Sequence, residues 1–98
     1  MTLRVGINGF GRTGRQFLRA WWERNRENFD VVAINGRTPV DMHTHLLRYD
    51  SDYGRFPAEV KAGENCFWVE DREIRVFQED DPTKIDWGSV DADIVIES

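Results

Sequence analysis

The sequence has one cysteine, two histidines and no apolar run longer than about five residues. A lone Cys66 excludes an internal disulfide and fits a reducing compartment. Nothing reads as a signal peptide or a helical membrane span, so no membrane partner is expected and the cytoplasm is the expected address, a processed organellar protein having the same appearance. His43 and His45 lie two apart, so on a helix they point in different directions; with no further ligand set at zinc spacing, no metal site is expected. Bases are outnumbered too: 13 Lys and Arg stand against 18 Asp and Glu, a net charge of −5. That balance argues against nucleic acid as the main partner.

What is present is a globular composition, 40% hydrophobic and 12% aromatic over 98 residues, enough for one small domain or part of a larger one. Residues 1–26 hold six Arg and one Glu, whereas residues 70–98 hold ten acids and three bases. A basic first segment suits an anionic ligand, although a solvated helix face explains Arg19, Arg24 and Arg26 equally well. Within that segment the short strand Val5 to Ile7 runs into glycines at 9, 11 and 14 and then into helical periodicity. This is G-x-G-x-x-G in the strand–turn–helix context that binds a dinucleotide pyrophosphate. Gly9 permits the tight turn, Gly11 lets backbone approach the pyrophosphate, and Gly14 lets the helix pack closely. Helix N-terminal N–H groups would then meet the phosphates.

From Arg12 to about Arg26 the pattern predicts a helix, with Gly14, Phe17, Leu18, Trp21 and Trp22 on the sheet-facing stripe and Arg15, Arg19 and Glu23 away from it. Val31 to Ile34 reads as a buried strand, completing a right-handed βαβ unit. Val40 to Tyr49 is a short helix, with Met42, His45, Leu46 and Tyr49 at helical spacing. Phe56 to Lys61, Cys66 to Val69 and Glu73 to Phe77 alternate as three short antiparallel strands. Cys66 has no evident neighbour to lower its pKa and reads as a small strand residue. Pro82 to Trp87 forms a short helical turn, and Asp93 to Glu97 reads as another buried parallel strand. The expected fold class is α/β, a partial Rossmann-type parallel sheet with an inserted short antiparallel β segment, in one domain over residues 1–98.

Five blocks carry a family resemblance: Gly6-Ile7-Asn8-Gly9-Phe10-Gly11-Arg12-Thr13-Gly14-Arg15; Val32-Ala33-Ile34-Asn35; Leu46-Leu47-Arg48-Tyr49-Asp50-Ser51-x-x-Gly54-x-Phe56; Asp81-Pro82-x-x-Ile85-x-Trp87; and Val95-x-Glu97-Ser98. In order and spacing they closely resemble the N-terminal cofactor portion of phosphorylating glyceraldehyde-3-phosphate dehydrogenase. Erythrose-4-phosphate dehydrogenase shares the blocks. The resemblance implies a domain that binds NAD or NADP in an enzyme that oxidises an aldehyde phosphate, passes hydride to the nicotinamide and phosphorylates the product. It implies cofactor contacts at Asn8, Gly9, Phe10, Gly11, Arg12, Thr13 and Gly14 in the turn, at Asn35, Gly36, Arg37 and Thr38 after the second strand, and at Ser98. Asn8 and the backbone of Arg12 and Thr13 are expected on the phosphate side. The family's Ser-Cys-Thr-Thr-Asn-Cys block, which holds the catalytic cysteine, and its catalytic histidine have no match here. Cys66 does not inherit that role, and no catalytic residue is assigned. The chain is expected to be an incomplete cofactor domain, with homo-oligomerisation a property of the full-length protein.

NAD-preferring members of the resembled family usually read Ala-Ile-Asn-Asp where this chain reads Ala33-Ile34-Asn35-Gly36-Arg37-Thr38. The missing acid normally binds the adenosine ribose hydroxyls, and its loss removes repulsion against a 2′-phosphate. Arg37 could supply a bidentate contact and Thr38 a hydroxyl, so NADP is expected to be accepted and preferred over NAD. Gly36 shaping a turn while Arg37 faces solvent is the plainer reading. Asp80, where the family often carries a base, opposes a 2′-phosphate. Two further hypotheses stand beside the enzyme: a non-catalytic nucleotide-binding or subunit-interaction module, and a protein that self-associates to cover its exposed sheet.

Overall fold

A computed structural model of the chain describes residues 2–49 and 55–98. The Asp50 to Gly54 part of the third resemblance block therefore lies outside the described residues. Strand β1 (Leu3–Asn8) buries Val5, Gly6 and Ile7, and β2 (Phe29–Asn35) buries its last five residues. Apolar runs without alternation are what strands covered on both faces require. Helix α1 (Arg12–Ala20) joins them and continues into a π-helical turn, Trp21–Asn25. It is followed by helix α2 (Val40–Arg48) and strands β3 (Val60–Ala62), β4 (Cys66–Val69), β5 (Arg72–Phe77) and β6 (Ile94–Glu97). Short 3₁₀ turns at Pro82–Lys84 and Trp87–Val90 stand where a single helical turn was expected.

All six strands form one sheet in the order β3-β4-β5-β2-β1-β6. β5, β2, β1 and β6 are mutually parallel, whereas β3 and β4 run antiparallel along the β5 side. The fold is thus the expected α/β, Rossmann-type arrangement, but its antiparallel segment continues the main sheet. β5 makes this continuity by dividing its length: Arg72 to Arg75 pair with β4, while Arg75 to Phe77 pair with β2.

Four expectations need correction. The first antiparallel strand begins at Val60 rather than Phe56, because Pro57 lacks the N–H a ladder needs and Phe56 instead turns inward as a buried plug. β6 is parallel to β1 but not buried: it is the outermost strand, and Ile94 and Val95 are 48% and 36% exposed. On α2 the buried face is Val40, His43, Thr44 and Leu47, whereas Met42, His45 and Tyr49 face outward. Both stripes have helical spacing, and only packing against the sheet chooses between them.

The fourth correction concerns Arg19, which is buried rather than solvated. Its Nη2 donates to the Leu47 carbonyl at 2.9 Å, and its guanidinium lies 5.3 Å from the centre of the Phe56 ring. Arg19 therefore ties α1 to the C-terminal end of α2. The apolar stripe of α1 packs as expected: Leu18 and Trp21 are fully buried, and Trp21 Nε1 donates to the Phe29 carbonyl at 2.7 Å. Ile7, Ile34, Leu47, Phe67, Val69 and Ile74 complete the core. Arg19→Ala removes a buried charge-assisted hydrogen bond and the packing of its stem, and is expected to cost about 2 kcal/mol or more. Arg24→Ala, at an exposed site of the same segment, changes stability little. Urea midpoints of the two variants check the contrast.

Candidate functional site

The carboxyl ends of the parallel strands meet at two asparagines. Asn35 Nδ2 donates to Asn8 Oδ1 at 3.0 Å and to the Glu79 carbonyl at 3.1 Å, and Asn35 Oδ1 accepts the Glu79 N–H at 2.9 Å. Asn8 Nδ2 in turn reaches Glu97 Oε1 at 3.2 Å. This amide relay crosses β6, β1, β2 and the segment after β5. Asn35 is buried, and both its donors and its acceptor are used, so its burial carries no unsatisfied polar group. Backbone bonds reinforce the floor: Gly9 N–H donates to the Asn35 carbonyl, and Gly36 N–H to the Phe77 carbonyl, both at 2.9 Å.

The glycine turn rises from this floor, and its three glycines answer to different constraints. Gly9 has φ +99°, a conformation that side chains rarely adopt. Gly14 lies so close to the turn that an added Cβ would stand 2.4 Å from the Gly9 carbonyl oxygen. Gly11 is extended, at φ −85° and ψ −154°, and an added Cβ would meet nothing within 4 Å. Neither strain nor crowding inside the chain requires glycine at 11. α1 begins directly after it, with no acidic residue and no side-chain cap in its first turn, the arrangement in which a helix N-terminus favours an anion.

Between the turn and the loop after β2 lies an open crevice of about 570 Å³, within the usual range for small-molecule sites. It brings together Asn8, Gly9, Phe10, Gly11, Asn35, Gly36, Arg37 and Thr38. Arg12, Thr13 and Gly14 open α1 directly after Gly11 and, like Ser98, are not among the residues that line the crevice. Ser98 seals the turn from behind, its N–H donating to the Asn8 carbonyl at 3.0 Å and its hydroxyl to the Gly9 carbonyl. The crevice also takes Arg15, His43, Leu46, Glu79 and Asp80 as walls. The position of Arg15 was readable, since it lies one helical turn beyond Gly11. Glu79 was hidden because its place depends on β5 pairing with β2. His43 was weighed only as a metal ligand.

His43 is 3% exposed. Its ring stands edge-on to Phe10, centroids 5.4 Å apart, and the Thr38 hydroxyl lies 3.0 Å from Nδ1 and 3.1 Å from Nε2. Burial pushes the imidazole pKa below its ordinary value, and the Arg15 charge acts the same way, against a hydrogen bond to the Gly36 backbone that holds it up. Arg37 Nε pairs with Asp80 Oδ1 at 2.8 Å, both side chains being about three-quarters exposed. Gln78 Nε2 donates to the Thr38 carbonyl at 2.8 Å. Cys66 lies on β4, away from the crevice, and burial together with the Glu73 carboxylate raises its thiol pKa. Such a thiol is a poor nucleophile. Among the described residues no group of three or more His, Cys, Asp or Glu could hold a metal ion, and no helix is long and apolar enough to cross a membrane.

Comparison with known proteins agrees with this geometry. The family described as glyceraldehyde 3-phosphate dehydrogenase, NAD binding domain, matches residues 3–98. Glyceraldehyde-3-phosphate dehydrogenase 1 of Streptomyces arenae is 50% identical over 98 residues, which cover 100% of this chain and 29% of that protein. The Thermotoga maritima glyceraldehyde-3-phosphate dehydrogenase is 47% identical over 95 residues, covering 97% of this chain and 28% of the relative. A chloroplastic glyceraldehyde-3-phosphate dehydrogenase of Gracilaria gracilis is 44% identical over 98 residues, covering 100% and 24%. The chain thus spans about a quarter of the length of the curated relatives it matches.

Two outcomes follow from the site's geometry. Gly14→Ala forces α1 off the Gly9 carbonyl and is expected to cost about 1–3 kcal/mol, whereas Gly11→Ala leaves stability within about 0.5 kcal/mol and weakens dinucleotide binding. Denaturant titration and binding isotherms on both variants separate the two effects. The second outcome concerns pH. Because folding lowers the pKa of His43 from 6.5, the unfolded chain takes up a proton that the folded chain resists, and stability falls as pH drops below about 6.5. Asp81, whose carboxylate is held below 3.8 by Thr83, acts in a separate and lower window. His43→Gln is expected to flatten the slope of the urea midpoint between pH 7.5 and 5.5.

Proposed function

Because the chain belongs to the family of glyceraldehyde 3-phosphate dehydrogenase NAD-binding domains, we propose that its crevice holds the adenosine and pyrophosphate half of a nicotinamide dinucleotide, and that NADP is accepted in preference to NAD. In the complete protein this half-site serves oxidation of an aldehyde phosphate with phosphorylation of the product. The observation that carries the cofactor preference is the end of β2. No carboxylate follows Asn35, and Gly36, Arg37 and Thr38 line the crevice where the ribose acid would stand.

Each part of the crevice then has a task. The N–H groups opening α1 receive the pyrophosphate, which the bare backbone of Gly11 lets come close. The Asn8–Asn35 relay keeps the strand ends from separating under the ligand. Arg37 keeps its terminal nitrogens for a 2′-phosphate, since its ion pair with Asp80 uses Nε. Asp80 orients that guanidinium and also opposes added negative charge, so it limits how far NADP is favoured. When bound, the dinucleotide supplies a hydride acceptor. The nucleophilic cysteine and its histidine partner would come from outside these 98 residues, as would most of the surface of a homo-oligomer.

Titrating the complete protein with each dinucleotide tests the preference. NADP is expected to bind more tightly, with Arg37→Ala weakening NADP about tenfold and NAD hardly at all. Clearly tighter binding of NAD by the unaltered protein would overturn the reading.

A further inference from the structure

Gly36 is not among the residues with a left-handed backbone, so the turn after β2 does not itself demand glycine there. The demand comes from a neighbour. A Cβ added at position 36 would stand 2.7 Å from His43 Cε1 and 2.8 Å from His43 Nε2, closer than side-chain carbons approach one another. A side chain at 36 therefore requires the far edge of the imidazole to move.

The ring is also held in place. It is buried, edge-on to Phe10, and within hydrogen-bond reach of the Thr38 hydroxyl, while the Thr38 carbonyl is fixed by Gln78. Because His43 is itself a wall of the crevice, a ring pushed off Gly36 has the crevice as its open direction. Displacement would both unlock the loop carrying Arg37 and Thr38 and intrude on the ligand's space.

We infer that His43 and Gly36 form a coupled pair that sets the dinucleotide preference: the ring at 43 bars a ribose-binding carboxylate from the end of β2 and positions the Arg37–Thr38 loop in its stead. This rests on the cofactor reading above and adds to it that the preference is decided from α2, at a residue eight positions beyond the end of β2. His43 is a positioning residue here. Restoring the acid at 36 without removing the ring does not restore an NAD site.

Two double-mutant cycles test the pair. The first needs no ligand and compares Gly36→Ala, His43→Ala and the double variant by thermal unfolding. Gly36→Ala is expected to lower Tm beside His43 and to be neutral or slightly stabilising beside Ala, since alanine restricts the unfolded chain more than glycine. Additive effects would overturn the steric coupling. The second cycle measures NAD and NADP dissociation constants in the complete protein. Gly36→Asp alone is expected to weaken NADP without tightening NAD, whereas Gly36→Asp with His43→Ala tightens NAD about tenfold or more over the unaltered protein. Equal tightening of NAD by Gly36→Asp alone would overturn the inference while leaving the cofactor reading intact. Failure of the unaltered protein to bind either dinucleotide would overturn that reading and the inference with it. Should His43→Ala fold poorly, His43→Ser, which places a small polar group near Thr38, runs the same cycles.

Discussion

The close approach of α1 to the glycine turn, with Gly14 against the Gly9 carbonyl, is the constraint on which the rest of the molecule depends. It sets how deeply the helix seats on the sheet. That depth carries Leu18 and Trp21 into the core, and it brings Arg19 within reach of the Leu47 carbonyl, so that α2 is indexed to α1. The same seating sets the start of α1 directly after Gly11, next to the carboxyl ends of β1 and β2. An anion site and a hydrophobic core thus follow from one contact, because a helix has only one way to be close to this turn.

Electrostatics at the crevice are more balanced than the charge distribution along the chain implies. The first βα unit is strongly basic, yet of its six arginines only Arg15 reaches the crevice wall. Arg4 is spent on the Val90 carbonyl and Arg19 on that of Leu47. On the far wall Arg37 is matched by Asp80, with Glu79 beside it. On the proposed reading attraction for a dinucleotide therefore rests on the helix N-terminus and a few placed guanidinium groups more than on net charge. An exposed ion pair such as Arg37–Asp80 adds little stability, so its effect is one of orientation.

Local features were legible in the sequence and long-range ones were not. Strand, glycine turn, helix and second strand are each coded by neighbours within about ten residues, and the βαβ unit was read correctly from them. β5 was not, because whether a six-residue strand pairs along its whole length with one neighbour or divides between two is decided by residues 42 positions away. The burial of Arg19 and the choice of the inner face of α2 failed for the same reason, since amphipathic patterning names two stripes and tertiary contact selects one. β6 was misjudged because Ile94-Val95-Ile96 has the composition of a central strand while its place is at the edge. The turn glycines and the loop after β2 were identified. His43 was not seen as part of that loop's geometry, since nothing in its spacing from Gly36 reveals that the ring covers the glycine.

Four glycines around one crevice illustrate why motif matching and specificity part company. Gly9 is there for its backbone angle, Gly14 for helix seating, Gly11, on the proposed reading, for an approaching ligand and Gly36 for a neighbouring ring. Only the first three belong to the fingerprint, and together they say that a pyrophosphate is welcome without saying which dinucleotide carries it. The discriminating group must sit at the end of β2, where the ribose lies, and there the residue's identity is constrained from outside the strand. A substitution at 36 is read by the fold through His43 before any ligand reads it. On the proposed reading cofactor choice is accordingly a packing problem as well as a charge problem, since any side chain at 36 must first displace the edge of an imidazole.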